Sequence, residues 1–153
     1  MTRVIFMCGP AGSGKSTVAR RLEEGGMARL SFDQEAWRRS IRSMPLPTDL
    51  HQEIEAELRT RLSRLVTTGV DVVLDFSFWS RREREKWRSL VRSLGVEPET
   101  IYLDTPRATV LERVAARRTD QPDAYQLEPE LAASYFDHFE PPSADEGPLT
   151  VIS

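Results

Sequence analysis

The sequence has little that would suit an exported, membrane-bound or zinc-binding protein. Its 153 residues include one cysteine, Cys8, which cannot form an intramolecular disulfide and gives no sign of an oxidising compartment. No apolar run approaches the roughly 20 residues that span a bilayer, and no hydrophobic signal segment precedes the first predicted strand. His51 and His138 are too far apart in the sequence for zinc-ligand spacing. We therefore expect a cytoplasmic protein without a membrane partner.

Asparagine is absent, and only Lys15 and Lys86 are lysines among the 21 basic residues. The formal net charge is −3, whereas proteins that bind duplex nucleic acid usually carry a basic face. A nucleic-acid partner is therefore possible but not favoured, because a local basic cleft is compatible with this charge. The composition carries no signal for an oligomeric state, and the length predicts a single domain over residues 1–153.

Strand and helix signals alternate along the chain. The apolar residues 4–8 are typical of a strand buried on both faces of a parallel sheet, and further strand signals follow at 28–32, 70–76, 101–103 and 149–152. Helix signals lie at 14–24, 34–44, 50–68 and 80–94, and two more helices begin with Thr105 as N-cap before Pro106 and with Pro129. This order predicts an α/β protein with three layers, α/β/α, and a five-stranded, mostly parallel sheet.

The segment between the first strand and the first helix fits the phosphate-binding pattern G-x-x-x-x-G-K-[ST]; its residues are Gly9, Pro10, Ala11, Gly12, Ser13, Gly14, Lys15, Ser16 and Thr17. In such a P-loop, glycines let backbone N–H groups converge on phosphate oxygens at the positive end of a helix. Lys15 would reach the β- and γ-phosphates, and the Ser16 hydroxyl would bind Mg²⁺. We predict that this segment binds ATP with Mg²⁺; the alternative is a glycine-rich turn with a surface lysine.

Two absences narrow the class of P-loop protein. A GTPase would need an asparagine-containing guanine reader, and this chain has no asparagine. Motor and transporter ATPases usually place a glutamate after the aspartate that ends their Walker B strand, whereas Asp75 is followed here by Phe76. A site without that glutamate favours phosphoryl transfer over hydrolysis.

The chain resembles the P-loop kinases of small molecules and of nucleic-acid ends. It is most similar to the AAA_33 group, which is related to zeta toxin, chloramphenicol phosphotransferase and the 5′-polynucleotide kinase domain. The resemblance rests on the P-loop, on residues 30–33 and 73–81, and on the arginines before residue 120. It covers most of the chain and implies a P-loop kinase-like fold.

By this resemblance, Asp33 faces the substrate hydroxyl and acts as its general base or orienting group; an ordinary helix N-cap is the alternative role. Asp75 resembles the Walker B aspartate that holds Mg²⁺ together with Ser16. The alternative for Asp75 is a strand-end carboxylate satisfied by local N–H groups. The aromatic side chains Phe76, Phe78 and Trp79 lie near a possible substrate, although packing in the core or at the rim is their more ordinary role.

Arg113 and Arg117 are four residues apart and share one face of a predicted helix. The resemblance to adenylate-kinase-like enzymes implies that Arg113 stacks on adenine and that Arg117 clamps the transferring phosphate, with Arg118 able to replace either. Residues 118–128 would then form a lid. A solvated arginine face and a plain surface loop are the alternatives.

Two other groups of arginines are candidate contacts for an anionic substrate. Arg81 and Arg82 begin a basic stretch over residues 81–92, whose interleaved charges favour a solvent-facing helix. The second group, Arg38, Arg39 and Arg42, follows Asp33.

These observations together predict a kinase that moves the γ-phosphate of ATP to a hydroxyl of a small molecule. Its catalytic residues would be Lys15, Asp33 and Arg117. The alternatives are a nucleotide-dependent binding module or ATPase without kinase activity and a 5′-hydroxyl nucleic-acid kinase.

Overall fold

The computed structural model describes residues 2–41, 46–116 and 127–153. Its strands form one five-stranded sheet in the order β2-β3-β1-β4-β5. The strands are β1 (Val4–Cys8), β2 (Ala28–Leu30), β3 (Val72–Leu74), β4 (Glu99–Leu103) and β5 (Leu149–Ile152). Every pairing between neighbours is parallel, so the predicted mostly parallel sheet is confirmed and is parallel throughout.

The helices of the described residues connect these strands in the predicted βα order. They are α1 (Lys15–Glu24), α2 (Phe32–Arg38), α3 (Thr48–Thr67), α4 (Arg81–Ser93), α5 (Arg107–Ala115) and α6 (Pro129–Asp137), with a short 3₁₀ helix at Ala144–Glu146. None of them is both long enough and apolar enough to cross a membrane.

The side chains of the central strand alternate between two hydrophobic layers. Phe6 of β1 belongs to the layer beneath α3 and α4, whereas its neighbours Ile5 and Met7 pack beneath α1. Because successive residues of a strand point to opposite faces, a strand that is apolar at every position needs helices on both sides. All five residues of β1 are buried, and the three-layer α/β/α arrangement is confirmed.

α3 supplies much of one layer. Ile54, Leu58 and Leu62 are fully buried and recur every four residues, so they lie along one stripe of the helix. Burying each of these side chains contributes about 1.5–3 kcal/mol.

The carboxyl ends of β1, β2 and β3 lie at the same end of the sheet. In the register, Phe6 lies opposite Leu74, and Leu74 lies opposite Leu30. The residues that follow these strands therefore meet at one end of the sheet, where ligands of open α/β folds bind.

Most helix starts differ from prediction by one or two residues, and in two helices the residue at the N-cap differs as well. α2 begins at Phe32, because the Ser31 hydroxyl accepts a hydrogen bond from Gln34 N and caps the helix. α5 begins at Arg107 with Pro106 as its N-cap, whereas Thr105 was the predicted cap. The Thr105 hydroxyl instead donates to the Ser13 carbonyl oxygen at 2.8 Å and ties α5 to the P-loop.

The predicted solvent face of residues 81–92 is wrong for Arg84 and Arg88, which are fully buried. Both guanidinium groups bind Glu146: Arg84 Nε lies 2.8 Å and Arg88 Nη2 lies 2.9 Å from Glu146 Oε1. Burial alone would oppose ionisation of Glu146, but hydrogen bonds from Arg84, Ser143 N and Arg88 lower its pKa to about 2. This buried charge cluster joins α4 to the chain just before β5.

Candidate active site

The P-loop joins β1 to α1 and packs against α5. Gly12 has a φ of +85°, and a Cβ built there would lie 2.7 Å from the Val110 carbonyl oxygen and 2.8 Å from Val114 Cγ2. Only glycine fits, because both the backbone conformation and the neighbouring helix exclude a side chain. Gly14 is the left-handed N-cap of α1, and no side chain caps the helix. A helix N-terminus of this kind is suited to binding an anion.

Lys15 and Ser16 lie at the start of α1 and line a cleft of about 690 Å³. Lys15 Nζ donates a long hydrogen bond of 3.4 Å to the Pro10 carbonyl oxygen and so reaches back over the loop. Asp75, which follows β3, lines the same end of the cleft. The structure therefore brings the predicted P-loop lysine, hydroxyl and acidic residue together.

Asp75 is the centre of a buried polar group. Its Oδ2 accepts a hydrogen bond from Ser16 Oγ at 3.1 Å and two from Arg29, from Nε at 3.0 Å and Nη2 at 2.6 Å. The Arg29 and Asp75 side chains are each 3% exposed. These partners are side chains rather than the local N–H groups of the alternative interpretation.

Arg29 was missed by the sequence analysis. The available signal was an arginine inside a predicted strand of a sheet with few polar positions, because a buried arginine requires a charged partner. Its partner, Asp75, lies 46 residues further along the chain but next to it across the β2–β3 pair.

The residues around Asp75 fit a magnesium ion. A serine hydroxyl and a carboxylate, adjacent at the mouth of a P-loop, are the oxygen ligands that Mg²⁺ uses together with water and phosphate. Ser16 and Asp75 are the residues that would hold it.

Asp33 is the second residue of α2 and lines the cleft. The alternative role as N-cap is wrong, because Ser31 occupies that position. A carboxylate in the first turn is favoured by the helix dipole, and here it also faces the cavity that adjoins the P-loop.

Six aromatic side chains line the cleft and are called the aromatic wall here; they are Phe32, Phe76, Phe78, Trp79, Tyr135 and Phe139. The wall adjoins the P-loop, because Gly9 N donates a hydrogen bond of 3.1 Å to the Ser77 carbonyl oxygen. Phe76 touches two of its neighbours, with ring centroids 4.8 Å from Phe32 and 5.2 Å from Phe78. The predicted packing role holds for Phe76 and Phe78, which are buried, whereas Trp79 is 52% exposed at the rim.

Phe78 has a left-handed backbone, with a φ of +50°. Such a conformation costs a non-glycine residue about 1–3 kcal/mol and persists only where its surroundings hold it. Its carbonyl oxygen accepts hydrogen bonds from Arg84 Nη1 at 2.7 Å and from Cys8 Sγ at 3.5 Å. The strained turn places Phe78 in the wall and Trp79 at its edge.

The family assignment follows from a comparison of the sequence with family models. The model of the AAA_33 family, described as an AAA domain, matches residues 4–142. The chain belongs to the AAA_33 family. No curated protein matches the sequence significantly.

Several solved structures share the fold of this AAA_33 protein at low sequence identity. A sugar kinase from Janibacter sp. HTCC2649 is 20% identical with a TM-score of 0.69, over 99% of this chain and 85% of the other. Kti12 from Chaetomium thermophilum, in complex with ADP-AlF3, is 18% identical with a TM-score of 0.73, over 98% and 88%. A chain of the Pnkp1/Rnl/Hen1 RNA repair complex is 16% identical with a TM-score of 0.75, over 90% of this chain and 43% of that one. At these identities the likeness shows the P-loop kinase-like fold.

Arg113 of this AAA_33 protein lies against the P-loop. Its Nη1 donates to the Gly12 carbonyl oxygen at 3.4 Å and is 3.5 Å from the position of a Cβ on Gly14. Arg117, Arg118 and residues 118–126 of the predicted lid lie outside the described residues. The end of that segment, Leu127, is buried and lines the cleft.

Three of the other candidate arginines form ion pairs with acidic side chains. Arg38 and Arg39 pair with Glu35, and Arg81 pairs with Asp145. Arg42 lies outside the described residues. Arg38, Arg39, Arg81 and Arg82 do not line the cleft.

Cys8, at the end of β1, is buried beneath the aromatic wall. Burial raises the pKa of its thiol to about 11, against the opposing effect of Arg84. The thiol is therefore neutral near pH 7 and donates its proton to the Phe78 carbonyl oxygen.

Proposed function

We propose that this protein is an ATP- and Mg²⁺-dependent phosphotransferase that moves the γ-phosphoryl group of ATP to a hydroxyl of a small molecule. The observation that carries the proposal is that Lys15 and Ser16 of the P-loop line one cleft together with Asp75 and Asp33. The volume of about 690 Å³ lies within the range of roughly 300–1,000 Å³ that is usual for small-ligand sites.

Each residue has a role that its position supports. Lys15 binds the β- and γ-phosphate oxygens, and the backbone N–H groups of the P-loop surround them. Ser16 and Asp75 would hold Mg²⁺, which would neutralise charge on the phosphate oxygens. Arg113 lies against the P-loop at Gly12, and we assign its guanidinium group the contact to adenine. Arg117 remains the predicted clamp of the transferring phosphate.

Asp33 orients the acceptor. Its carboxylate accepts the proton of the acceptor hydroxyl as that oxygen attacks the γ-phosphorus and the bond to the leaving ADP oxygen breaks. The aromatic wall excludes water from the acceptor side, which favours transfer to the hydroxyl over hydrolysis.

The test is a transfer assay with labelled ATP on pooled nucleosides, sugars, aminoglycosides, aromatic alcohols and 5′-hydroxyl oligonucleotides. Asp33→Asn should lower transfer by a factor of about 100 or more while ATP affinity, measured by calorimetry, stays nearly unchanged. Lys15→Ala should abolish ATP binding. Asp49→Asn is the matched control, because Asp49 is the first-turn aspartate of α3 and is exposed.

Full activity of the Asp33→Asn variant would remove Asp33 from the mechanism. ATP binding without transfer to any pool would refute the phosphotransferase and leave a nucleotide-dependent binding module. Exclusive transfer to oligonucleotides would identify a nucleic-acid kinase instead.

A further inference from the structure

The part of the cleft beyond the P-loop, where the acceptor would bind, is called the acceptor side and is rich in aromatic side chains. The inference drawn from it rests on the proposed function. Beyond the P-loop, six aromatic side chains line the cleft, and three of them, Phe32, Phe76 and Phe78, are fixed by contacts with one another. Phe32 stacks on His51 with ring centroids 4.6 Å apart, and Phe78 stacks on Phe6 at 4.5 Å. Rings held in this way present a preformed apolar surface to a ligand.

The charges on this wall are negative. Of the described lining residues, Lys15 is the only lysine or arginine, and it belongs to the P-loop. The carboxylates Asp33 and Glu83 lie on the acceptor side. Recognition of a carboxylate or phosphate on an acceptor normally uses the planar, bidentate guanidinium group. The described wall offers none, so it disfavours an anionic acceptor.

The polar groups of the wall are also largely engaged within the protein. Ser31 Oγ accepts the capping hydrogen bond from Gln34 N. Glu83 Oε1 accepts a hydrogen bond from Trp87 Nε1 at 3.3 Å, and the His138 ring nitrogen Nδ1 lies 2.8 Å from the Ser134 carbonyl oxygen. A polyol would bury several hydroxyl groups against apolar rings, and each hydroxyl without a partner weakens binding.

We infer that the acceptor is an uncharged aromatic alcohol, and not a polyol, a sugar acid or a nucleic-acid end. Its ring lies against Phe32, Phe76 and Trp79, and its hydroxyl points to Asp33. The strained backbone at Phe78 supports this assignment, because the contacts that hold it also place Trp79 at the mouth of the cleft.

The test measures binding and transfer separately on the full chain. The probes are 2-(2-naphthyl)ethanol and 2-phenylethanol, compared with D-glucose, D-gluconate and a 5′-hydroxyl thymidine dinucleotide. Binding is followed by calorimetry in the presence of a non-hydrolysable ATP analogue, and transfer by labelled ATP. The variants are Trp79→Ala, the conservative Trp79→Phe, and Val151→Ala as an exposed apolar control outside the cleft.

We expect the naphthyl alcohol to bind more tightly than the phenyl alcohol and to accept phosphate. Trp79→Ala should weaken its binding about three- to tenfold, as expected for the loss of one aromatic contact, whereas Trp79→Phe should restore most of the affinity. Val151→Ala should bind like the wild-type protein.

Failure of both aromatic alcohols to bind would overturn the inference, as would binding that is insensitive to Trp79→Ala. Transfer to glucose or gluconate alone would overturn the inference while preserving the proposed function. Transfer to the dinucleotide alone would overturn both and identify a nucleic-acid kinase. Binding of the naphthyl alcohol without transfer of phosphate would support the ligand class and count against the proposed function.

Discussion

The substitution Glu146→Gln tests the buried charge cluster that supports the cleft wall. Glutamine keeps the shape and one acceptor oxygen but removes the negative charge that faces Arg84 and Arg88. All three side chains are at most 3% exposed. Leaving a buried charge without its partner costs about 3–5 kcal/mol, against a total stability of about 5–15 kcal/mol for a typical domain.

The pH dependence provides an independent measure of the same interaction. The pKa of Glu146 is lowered from 4.5 to about 2 in the folded protein. Its contribution to the free energy of unfolding is therefore complete above the unfolded pKa and is lost as the pH falls through the folded value. Between about pH 7 and about pH 3.5 the wild-type protein should lose about 1 kcal/mol more stability than the variant, whose glutamine does not titrate.

Urea denaturation monitored by tryptophan fluorescence measures both effects. The control is Asp145→Asn, because Asp145 is the neighbouring acid but its pair with Arg81 is 64% and 50% exposed on the two side chains. That variant should lose no more than about 1 kcal/mol. If Glu146→Gln cost as little as Asp145→Asn, or if the gap to the wild type did not narrow in acid, the buried charges would not stabilise this fold as argued.

Two further substitutions probe the P-loop. Gly12→Ala should abolish ATP binding in calorimetry, because its Cβ would lie 2.7 Å from the Val110 carbonyl oxygen; Gly26→Ala, at a φ of +111° with open space around it, should be destabilised yet bind ATP normally. Equal ATP binding by both variants would contradict the packing of the loop on α5. Ser13→Ala should leave the free energy of unfolding unchanged or raise it by up to about 1 kcal/mol, since Ser13 Oγ is buried without a hydrogen-bond partner among the described residues. A loss of more than about 1 kcal/mol in the free energy of unfolding would show that the Ser13 hydroxyl has a hydrogen-bond partner.

The features that could be predicted from the sequence are local ones. β1 and the P-loop are contiguous segments whose residue types dictate their backbone, and the apolar period of α3 is visible within its own residues. The start of α2 was displaced because Ser31 and Asp33 are both good capping residues. Only the structure shows that Ser31 is the cap, with its hydroxyl accepting a hydrogen bond from the Gln34 N–H group.

The features that could not be predicted depend on contacts between distant parts of the chain. Arg84 and Arg88 read as surface charges because their partner, Glu146, lies 62 and 58 residues away. The pairing of Arg29 with Asp75 could not be predicted for the same reason, because the two residues are 46 positions apart in the sequence. An arginine-rich sequence offers many possible pairs, and periodicity alone does not distinguish a buried arginine from an exposed one.

The ion pair between Arg29 and Asp75 links the P-loop cleft to β2, the edge strand of the sheet. β2 has three residues and hydrogen-bonds to a strand on one side only. Short edge strands open locally at a lower free energy than the central strands. Fraying of β2 would withdraw the Arg29 guanidinium group from Asp75 and would expose Leu30, while β3, β1 and β4 stay paired. Asp75 in the P-loop cleft would then lose its charged partner at a free-energy cost below that of global unfolding.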